Sequence, residues 1–540
     1  MRNTLSFVMA LPVIATTILV SPLSAAKHHS ALEIFQTSDR CFACHNGLST
    51  AAGEDISIGL SWRPTMMANS ARDPYWQAGV RRESMDHPES KKLIEDECSV
   101  CHMPMARTVS KAMGQDPQIF AHLPFDAGKP LSKLAQDGVS CSLCHQITEE
   151  KLGTKDSYVG GYVVDTKKPR GERAEYGPYE VEKGHNRIMR TSSGGYVPTQ
   201  GKYFRQSEIC ATCHTLYTKA LGANGQVVGE LPEQMPYLEW AESSYKDTTS
   251  CQACHMPVVK EEVSITKVLG VPREGVSRHT FIGGNFFMQR MLNKFRGDLS
   301  VDALPDELEG AAMRTLKHLS SDTAKLSIGD VAVRNGQLTF PVSVENLSGH
   351  KLPTAYPSRR VWLHVTVRDS AGKQIFESGA VAPSGMIQGN DNDIDAKRFE
   401  PHYNEITSPD QVQIYEAIMV DQAGALTTGL LAAVKYEKDN RLLPKGLEKA
   451  KASADIVVRG AAATDSDFQA GGDKVRYGVM TGTAQGPFKI EAELLFQPIG
   501  YRWANNLKAY DAPETKRFTG FWDQMSSGSA AVLDKVTVTK

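Results

Sequence analysis

The sequence predicts an α+β protein of more than one domain, in which a part made of short helices and loops precedes an immunoglobulin-like β-sandwich. Three observations predict this fold class. The chain has 540 residues, whereas one domain usually holds about 100–200. All ten cysteines lie between residues 41 and 254, in a region with few periodic apolar residues. From residue 321 onward the sequence contains no cysteine, and several short stretches alternate between apolar and polar residues.

Composition and charge restrict the class of function. The 60 Lys and Arg residues nearly balance the 62 Asp and Glu residues, which gives a formal net charge of −2. A nucleic-acid-binding domain usually carries a basic surplus, so no nucleic-acid partner is expected. Hydrophobic residues make up 41% of the chain and aromatic residues 8%, which is sufficient for packed cores.

The segment 1–26 has the pattern of a secretory signal peptide. Arg2 supplies a positive charge, an apolar run covers residues 5–20, and the small residues 24–26 precede a cleavage site before Lys27. A retained membrane anchor is the alternative, but the run is interrupted and shorter than the roughly 20 residues that span a bilayer. No later stretch of the sequence predicts a membrane span. We therefore expect a mature chain exported to the periplasm or out of the cell.

Every cysteine belongs to a C-x-x-C-H motif, and there are five copies of it. The motif is typical of c-type haem attachment. Its two thiols can form thioethers with one porphyrin, and the adjacent histidine can bind the iron as proximal ligand. The sequence therefore predicts five covalently bound haems c. The cysteine pairs are Cys41 and Cys44, Cys98 and Cys101, Cys141 and Cys144, Cys210 and Cys213, and Cys251 and Cys254. The motif histidines are His45, His102, His145, His214 and His255.

Three other uses of the cysteines fit less well. Structural zinc usually takes two C-x-x-C pairs per ion, so five pairs leave one over and the fixed histidine has no role. A thioredoxin-like redox centre needs one C-x-x-C in a βαβ setting. Disulfides are compatible with export, but loops of two residues stabilise a fold very little.

The segment 27–320 is predicted to be a pentahaem cytochrome c domain. Successive motifs start 41–69 residues apart, in a sequence rich in glycine, proline and short polar stretches. Such a chain builds a poor apolar core by itself. We expect short helices, with the porphyrins as the core and therefore packed closely together.

Each iron needs a sixth ligand unless it is catalytic. Fifteen histidines, less the five in the motifs, leave ten candidates, of which five lie in favourable contexts and one, His402, is a reserve. Met66 or Met67 is the alternative to a histidine at one haem, where a thioether ligand would raise the reduction potential. The five predicted distal ligands are His87, His122, His185, His279 and His350.

The segment 321–540 is predicted to be the β-sandwich domain. Asn335-Gly336 predicts a hairpin turn before an alternating stretch. Several short strands with frequent turns are typical of an immunoglobulin-like sandwich. An acidic stretch from Asp391 resembles an EF-hand loop but lacks the glycine and the final glutamate, so we expect a plain surface loop. The predicted strands cover 338–344, 361–367, 374–379, 492–496 and 532–538, with a helix near 503–510.

Three segments resemble multihaem c-type cytochromes of the cytochrome c-554 kind. They are 233–245, 251–257, which includes the fifth motif, and 278–285. A fourth segment, 348–354, is similar to one in longer exported relatives. The resemblance covers roughly 27–356 with motif support and the remainder more loosely. It implies electron transfer through stacked haems, most of them with two axial protein ligands.

The resemblance leaves two main classes of function open. The first is an exported electron carrier whose partners are redox proteins, either other cytochromes or a membrane quinol-oxidising donor. The second is an oxidoreductase in which one open haem acts on a small nitrogen or sulfur species. Enzyme relatives often replace one motif histidine by lysine, and all five motifs here end in histidine. A structural or filament-forming cytochrome is a third possibility.

His350 carries the most specific hypothesis about how the two segments are joined. Gly349 precedes it and Pro353 follows it, which predicts a stiff loop next to a strand. A histidine on such a loop can reach out of the sandwich. We therefore expect His350 to bind an iron held by one of the N-terminal motifs.

Overall fold

The computed structural model describes residues 31–540. The predicted signal peptide, 1–26, lies outside the described residues. Within the described range, no helix is both long and apolar enough to cross a membrane. Helices and several sheets alternate along the chain, so the mixed α and β character predicted from the sequence is confirmed.

The helices of the cysteine-rich part are short, as predicted. Those that begin before residue 300 contain 4 to 13 residues, and several start with proline at the first helical position, where its missing N–H costs no hydrogen bond. The helices are α1 (Asp39–His45), α2 (Ile58–Trp62), α3 (Pro74–Asp86), α4 (Lys91–His102), α5 (Pro104–Ala112), α6 (Pro130–Gln136), α7 (Cys141–Cys144), α8 (Lys183–Ser192), α9 (Glu208–Ala211), α10 (Pro236–Ala241), α11 (Cys251–His255), α12 (Phe286–Lys294), α13 (Pro305–Asp322), α14 (Asp391–Ile394), α15 (Tyr501–Asn506) and α16 (Pro513–Asp523).

Three two-stranded sheets lie within the cysteine-rich part, and the sequence analysis did not predict them. One is parallel and the other two are antiparallel. Each is small and joins loops that surround the cysteine motifs. They pair β1 (Ala174–Gly177) with β2 (Val197–Gln200), β3 (Leu216–Leu221) with β4 (Val227–Gln234), and β5 (Val263–Ser264) with β6 (Pro272–Arg273).

The C-terminal part contains two five-stranded sheets and a three-stranded one. The strands are β7 (Ala324–Ile328), β8 (Ala332–Arg334), β9 (Gln337–Asn346), β10 (Arg360–Arg368), β11 (Gln374–Ser378), β12 (Glu405–Ile406), β13 (Ile414–Tyr415), β14 (Ala417–Val420), β15 (Leu426–Thr427), β16 (Lys435–Asp439), β17 (Gly472–Met480), β18 (Lys489–Gln497) and β19 (Ala531–Thr539). The first five-stranded sheet has the order β11-β10-β18-β19 with β13 beside β10, and the second has the order β12-β17-β9-β7 with β8 beside β9. The three-stranded sheet has the order β15-β14-β16.

The predicted strands and the hairpin turn are present. Asn335 and Gly336 both have positive φ, 49° and 74°, as a two-residue hairpin turn between β8 and β9 requires. Alternate residues of β9 are buried, and apolar side chains from both five-stranded sheets belong to one hydrophobic cluster. Phe340 on β9 stacks on Tyr477 of β17 with ring centroids 5.4 Å apart. The immunoglobulin-like type of this arrangement stays a prediction.

The same hydrophobic cluster continues into the cysteine-rich part. It includes Phe286 and Met291 of α12 together with Phe518 of α16. Helix α3 lies against α16, where Arg81 donates to both carboxylate oxygens of Glu514 at 2.7 and 3.0 Å. The two predicted segments are therefore joined by a continuous core and by ion pairs.

Four buried charged residues connect α10 to the C-terminal strands. Lys351 donates to Asp439 at 2.7 Å, and Arg441 donates to the same carboxylate at 2.8 Å through both Nε and Nη2. Arg441 also lies 3.2 Å from Glu239 of α10. Glu239 accepts from the backbone N–H of Lys351 at 3.1 Å and from Thr354 at 2.5 Å. The two positive and two negative charges balance.

The acidic stretch after Asn390 differs from its prediction as a plain surface loop. Asp393 is 2% exposed and accepts two hydrogen bonds from Arg360, at 2.8 and 2.9 Å. Asp391 pairs with Arg398. The carboxylates of Asp391 and Asp393 are thus paired with arginines, which the sequence pattern did not predict.

The buried charges around Asp439 yield a prediction about stability. Burial opposes ionisation of Asp439, but Arg441 and Lys351 hold its pKa below the usual range. Asp439→Asn removes one of the two negative charges and leaves Lys351, which is 0% exposed, without the carboxylate to which its Nζ donates. Removing one member of a buried pair costs about 3–5 kcal/mol. We expect a loss of that size in the free energy of unfolding, measured by urea denaturation.

The control is Asp523→Asn, which breaks the exposed pair with Lys508. Exposed pairs contribute little because water screens them. The prediction is wrong if the two variants have the same urea midpoint.

Candidate functional site

Each cysteine motif lies on, or directly after, a helical turn. Helices α1, α4 and α11 end on their motif histidines, His45, His102 and His255. On a helix, positions three and four residues apart share one face. In the three motifs that lie wholly within a helix, both thiols and the histidine therefore project from neighbouring positions of one face. No two of the ten cysteines form a disulfide in the structure.

The motifs surround one large cavity with a volume of about 1150 Å³. The first four motifs each place both cysteines and the histidine on its wall, and the fifth contributes Gln252 and Ala253. The wall is mostly apolar. A pocket for an ordinary small molecule has roughly 300–1000 Å³, so this cavity is larger than a single small ligand needs.

Thiols from different motifs lie close enough to act on one another. This proximity, together with burial, raises the pKa of Cys41, Cys210 and Cys213. The third motif thus lies beside the first, and the fourth lies beside both the second and the fifth. The neighbouring pairs are Cys41 with Cys141, Cys213 with Cys101, and Cys210 with Cys251.

Four motif histidines are oriented by backbone carbonyl groups. Each ring faces a carbonyl oxygen with Nδ1, so Nδ1–H donates and the lone pair of Nε2 is left for another partner. This is the tautomer that a metal-binding imidazole needs. The acceptors are Ile265 at 2.6 Å for His45, Ser70 at 2.9 Å for His102, Tyr176 at 2.5 Å for His145, and Ile282 for His255.

Burial keeps these imidazoles neutral near pH 7. It lowers the pKa of His102 and of His255 to about 4, although their carbonyl partners act in the opposite direction. Burial also lowers the pKa of His145 and of His214. A neutral ring with a free nitrogen is an iron ligand that does not first have to lose a proton.

Two of the five predicted distal ligands face motif histidines. The rings of His145 and His279 have centroids 6.5 Å apart and planes 24° apart. Those of His255 and His350 have centroids 6.3 Å apart and planes 11° apart. If an iron lay between two such rings, each metal–nitrogen bond would contribute about 2 Å to the distance between the centroids. The distance from each centroid to its own nitrogen accounts for the remainder. Both spacings therefore suit an iron between the rings.

The two distal candidates are oriented in the same way as the motif histidines. Nδ1 of His279 lies 3.1 Å from the carbonyl oxygen of Ser277, and Nδ1 of His350 lies 2.9 Å from that of Lys351. Burial lowers the pKa of His279 to about 4 and lowers that of His350. Both rings are thus neutral and keep Nε2 as an acceptor.

The other three predicted distal ligands are not brought to a motif histidine in this way. His185 lines the cavity, but its Nε2 donates to the carbonyl of Leu269 at 2.5 Å and its Nδ1 lies 3.3 Å from Glu182. His87 and His122 are each 9% exposed, and neither belongs to the wall of the cavity. Their role as ligands stays a prediction.

The methionines proposed as an alternative ligand and the reserve histidine lie in different surroundings. Met66 and Met67 both line the cavity, so either could contact a haem there. The reserve candidate, His402, is buried among the C-terminal strands, where it donates to Asp465 at 2.9 Å and accepts from Gln413 at 2.8 Å. Both ring nitrogens of His402 are thereby engaged.

The sequence analysis missed three polar side chains on the cavity wall. Tyr75 is the second residue of α3, and Tyr356 and Arg359 lie on the loop between β9 and β10. The rings of Tyr75 and Tyr356 are in edge contact at 5.9 Å. Only the tertiary fold brings this loop to the cysteine motifs, so no local sequence signal could have identified these residues.

Comparison with known proteins identifies a likeness of fold. No family model matches the chain, and no curated protein matches it either. Among solved structures, a penta-heme cytochrome c552 from Thermochromatium tepidum is similar, with a TM-score of 0.54. The match covers 94% of this chain and 100% of that chain at 15% sequence identity. At this identity the likeness extends to the fold alone.

Proposed function

We propose that the chain is an exported pentahaem c-type cytochrome that transfers electrons between redox partner proteins. The observation that carries this proposal is the meeting of five C-x-x-C-H motifs around one cavity. The fold shared with a penta-heme cytochrome c552 supports it. Redox partners would be other cytochromes or a membrane quinol-oxidising donor.

The residues of the site fit five haems c. A bound haem supplies an iron that takes up and releases one electron. The ten thiols provide two thioether bonds per haem, and the motif histidines offer a neutral Nε2 to each iron. The backbone carbonyls of Ile265, Ser70 and Tyr176 hold three of those rings in orientation. The mostly apolar wall would pack against the macrocycles.

Contacts between the motifs suggest a route for the electrons. The thiols of the first and third motifs lie close together, as do those of the fourth with the second and fifth. Cys144 of the third motif lies near enough to raise the pKa of Cys210, after larger effects of Cys251 and burial. Adjacent haems would therefore run from the first motif through the third to the fourth, where the route branches.

Two axial pairs follow from the ring geometry. We assign His279 as the second ligand at the third motif and His350 as the second ligand at the fifth. His87, His122 and His185 remain candidates for the other three irons, with Met66 or Met67 as the alternative at one of them. The proposal also includes the relation to the c-554-like family and the division of the chain into two domains. These domains are the cytochrome domain 27–320 and the immunoglobulin-like sandwich 321–540.

Haem stoichiometry tests the proposal directly. Because each motif supplies its own thioethers, the mature protein should contain five haems per chain that resist acid–acetone extraction. The measurement is a pyridine haemochrome assay against protein concentration. The double variant Cys98→Ser/Cys101→Ser should contain four haems and be less stable, since the lost macrocycle packs against its neighbours. Four or fewer haems in the wild-type protein count against the proposal.

Ligation by His350 has a spectroscopic consequence. His350→Ala removes the ring that faces His255, so one haem should become five-coordinate. A new high-spin EPR signal and carbon monoxide binding at one additional haem are expected, with all five haems still attached. The matched control is His364→Ala, because His364 pairs with Glu377 and Glu493 on the C-terminal sheet and does not line the cavity. A His350→Ala protein with the spectrum of the wild type contradicts the assignment.

Export has its own measurement. The predicted signal peptide, 1–26, precedes the first described residue, Ala31, and its cleavage can be measured. In a producing bacterium the haem-containing protein should appear in the periplasmic fraction, with an N-terminus that starts at Lys27. A chain that keeps residues 1–26 and stays with the membranes would show that the segment is an anchor.

A further inference from the structure

A short hairpin lies against the first cysteine motif. Its strands, β5 and β6, pair antiparallel, and the tip 265–271 joins them. The backbone N–H of Lys267 in the tip donates to the carbonyl of Cys44 at 2.8 Å. The carbonyl of Ile265 accepts from Nδ1 of His45 at 2.6 Å. A haem bound at this motif would therefore lie next to the tip.

The hairpin tip exposes a group of apolar side chains. Val268, Leu269 and Val271 are 39%, 71% and 42% exposed, and within residues 31–540 no large hydrophobic side chain is more exposed than Leu269. Val268 and Val271 also line the cavity, so at these positions one side chain separates the cavity from solvent. Apolar side chains grouped in this way are typical of the centre of a protein–protein interface.

Helix α8 carries a basic face. Lys183, Arg187 and Arg190 are spaced four and three residues apart, so they lie on one side of the helix. All three are exposed and line one shallow surface groove. In the part of the chain that the structure describes, no carboxylate forms an ion pair with any of them. The opposite side of α8 places Ile188 and Met189 on the wall of the cavity.

Two contacts hold α8 against the hairpin. Nε2 of His185 donates to the carbonyl of Leu269 at 2.5 Å, and Glu182 lies 3.8 Å from Arg273 of β6. Lys183 is two residues from His185, and a helix with its side chains is about 10–12 Å across. The basic face therefore begins within about one helix diameter of the apolar tip, and the two form one outward surface beside the first motif.

The positive charge of this surface is a local property. The chain has a formal net charge of −2, yet residues 183–207 contain five Lys and Arg residues and no Asp or Glu. The nearest acidic residue, Glu182, is already engaged with His185 and Arg273. The tip adds Lys267 and no acidic residue. An apolar centre beside a positive rim is complementary to a partner whose own rim is negative.

We propose that the tip 265–271 and the basic face of α8 form the docking surface for an acidic redox protein, which exchanges electrons with the haem bound by Cys41 and Cys44. The inference rests on the proposed pentahaem function and names the chemistry of the partner. In each encounter one electron passes, so the partner is oxidised as one iron(III) becomes iron(II), or the reverse. The basic rim attracts the partner before contact, and the apolar tip packs against it afterwards.

The experiment uses the full-length mature protein after its haem content has been measured. Reduced plant-type ferredoxin, an acidic protein and a strong reductant, serves as the probe. Stopped-flow absorbance under anaerobic conditions gives the second-order rate constant for reduction of the oxidised haems at several salt concentrations. For the wild-type protein this constant should fall about tenfold or more from low to high salt, because salt screens the attraction.

A triple variant tests the basic rim. Lys183→Gln/Arg187→Gln/Arg190→Gln should lower the rate constant at low salt about tenfold and remove most of its salt dependence, since rim charges act on association. Glutamine keeps a high helix propensity, so α8 should still form. The matched control replaces three exposed lysines of the C-terminal part by glutamine, and its rate constant should stay within about twofold of the wild type. The three are Lys325, Lys373 and Lys397.

A single variant tests the apolar centre. Leu269 has a φ of 50°, a conformation that asparagine tolerates better than leucine, so Leu269→Asn should keep the tip intact. Its rate constant should fall several-fold at every salt concentration, because apolar contact acts at short range and is not screened. Reduced lumiflavin, a small molecule that needs no docking surface, should reduce all of these proteins at the wild-type rate.

Three results overturn the inference. The first is a wild-type rate constant that does not depend on salt, or one that the triple variant and Leu269→Asn leave unchanged. The second is wild-type protein that sediments with phosphatidylglycerol vesicles while the triple variant does not, which assigns the surface to a membrane. The third is a wild-type dimer in analytical ultracentrifugation that the triple variant lacks, which assigns the surface to a second copy of this chain.

Each of these results leaves the proposed electron-transfer function intact, provided that the wild-type protein has five haems and lumiflavin reduces them. Wild-type protein with fewer than five haems contradicts that function itself. If the triple variant does not load five haems, Arg187→Gln alone decides. Its rate constant at low salt should fall at least twofold, and an unchanged rate constant contradicts the inference.

Discussion

Four buried charges hold the loop 347–359 in place, and much of the site depends on that loop. Lys351 and Arg441 share the carboxylate of Asp439, and Glu239 accepts from the loop backbone. None of the four is more than 5% exposed. Each charge is expensive to bury alone, so the set is stable only when complete. Because Glu239 comes from α10 of the cysteine-rich part, the same set also fixes that part against the C-terminal strands.

A single hydrogen-bonding arrangement recurs at the histidines that face the haem sites. His102 and His279 lie on unrelated elements, yet each donates Nδ1–H to a backbone carbonyl and keeps Nε2 free. A carbonyl fixes both the tautomer and the ring direction without adding a charge to an apolar cavity. The exception among the motif histidines is His214, whose ring forms no such hydrogen bond within residues 31–540.

The sequence predicted features whose cause is local and missed those whose cause is distant. The motif spacing places thiols and histidine on one helical face whatever surrounds them, and the Asn335-Gly336 turn determines its own hairpin. The context of His350 was also informative, because its loop begins directly at the end of a strand. By contrast, His87 and His122 have similar local contexts but lie off the cavity wall, since which haem a loop reaches depends on the whole fold.

The fourth motif occupies the central position in the proposed route. Its thiols lie close to those of the second and fifth motifs, and the third motif lies nearby. A haem there would have three neighbours, more than any other in this arrangement. Loss of that haem would therefore separate the first and third motifs from the second and from the fifth. Loss of the haem of the second motif would leave the other four connected, because that motif has a single neighbour.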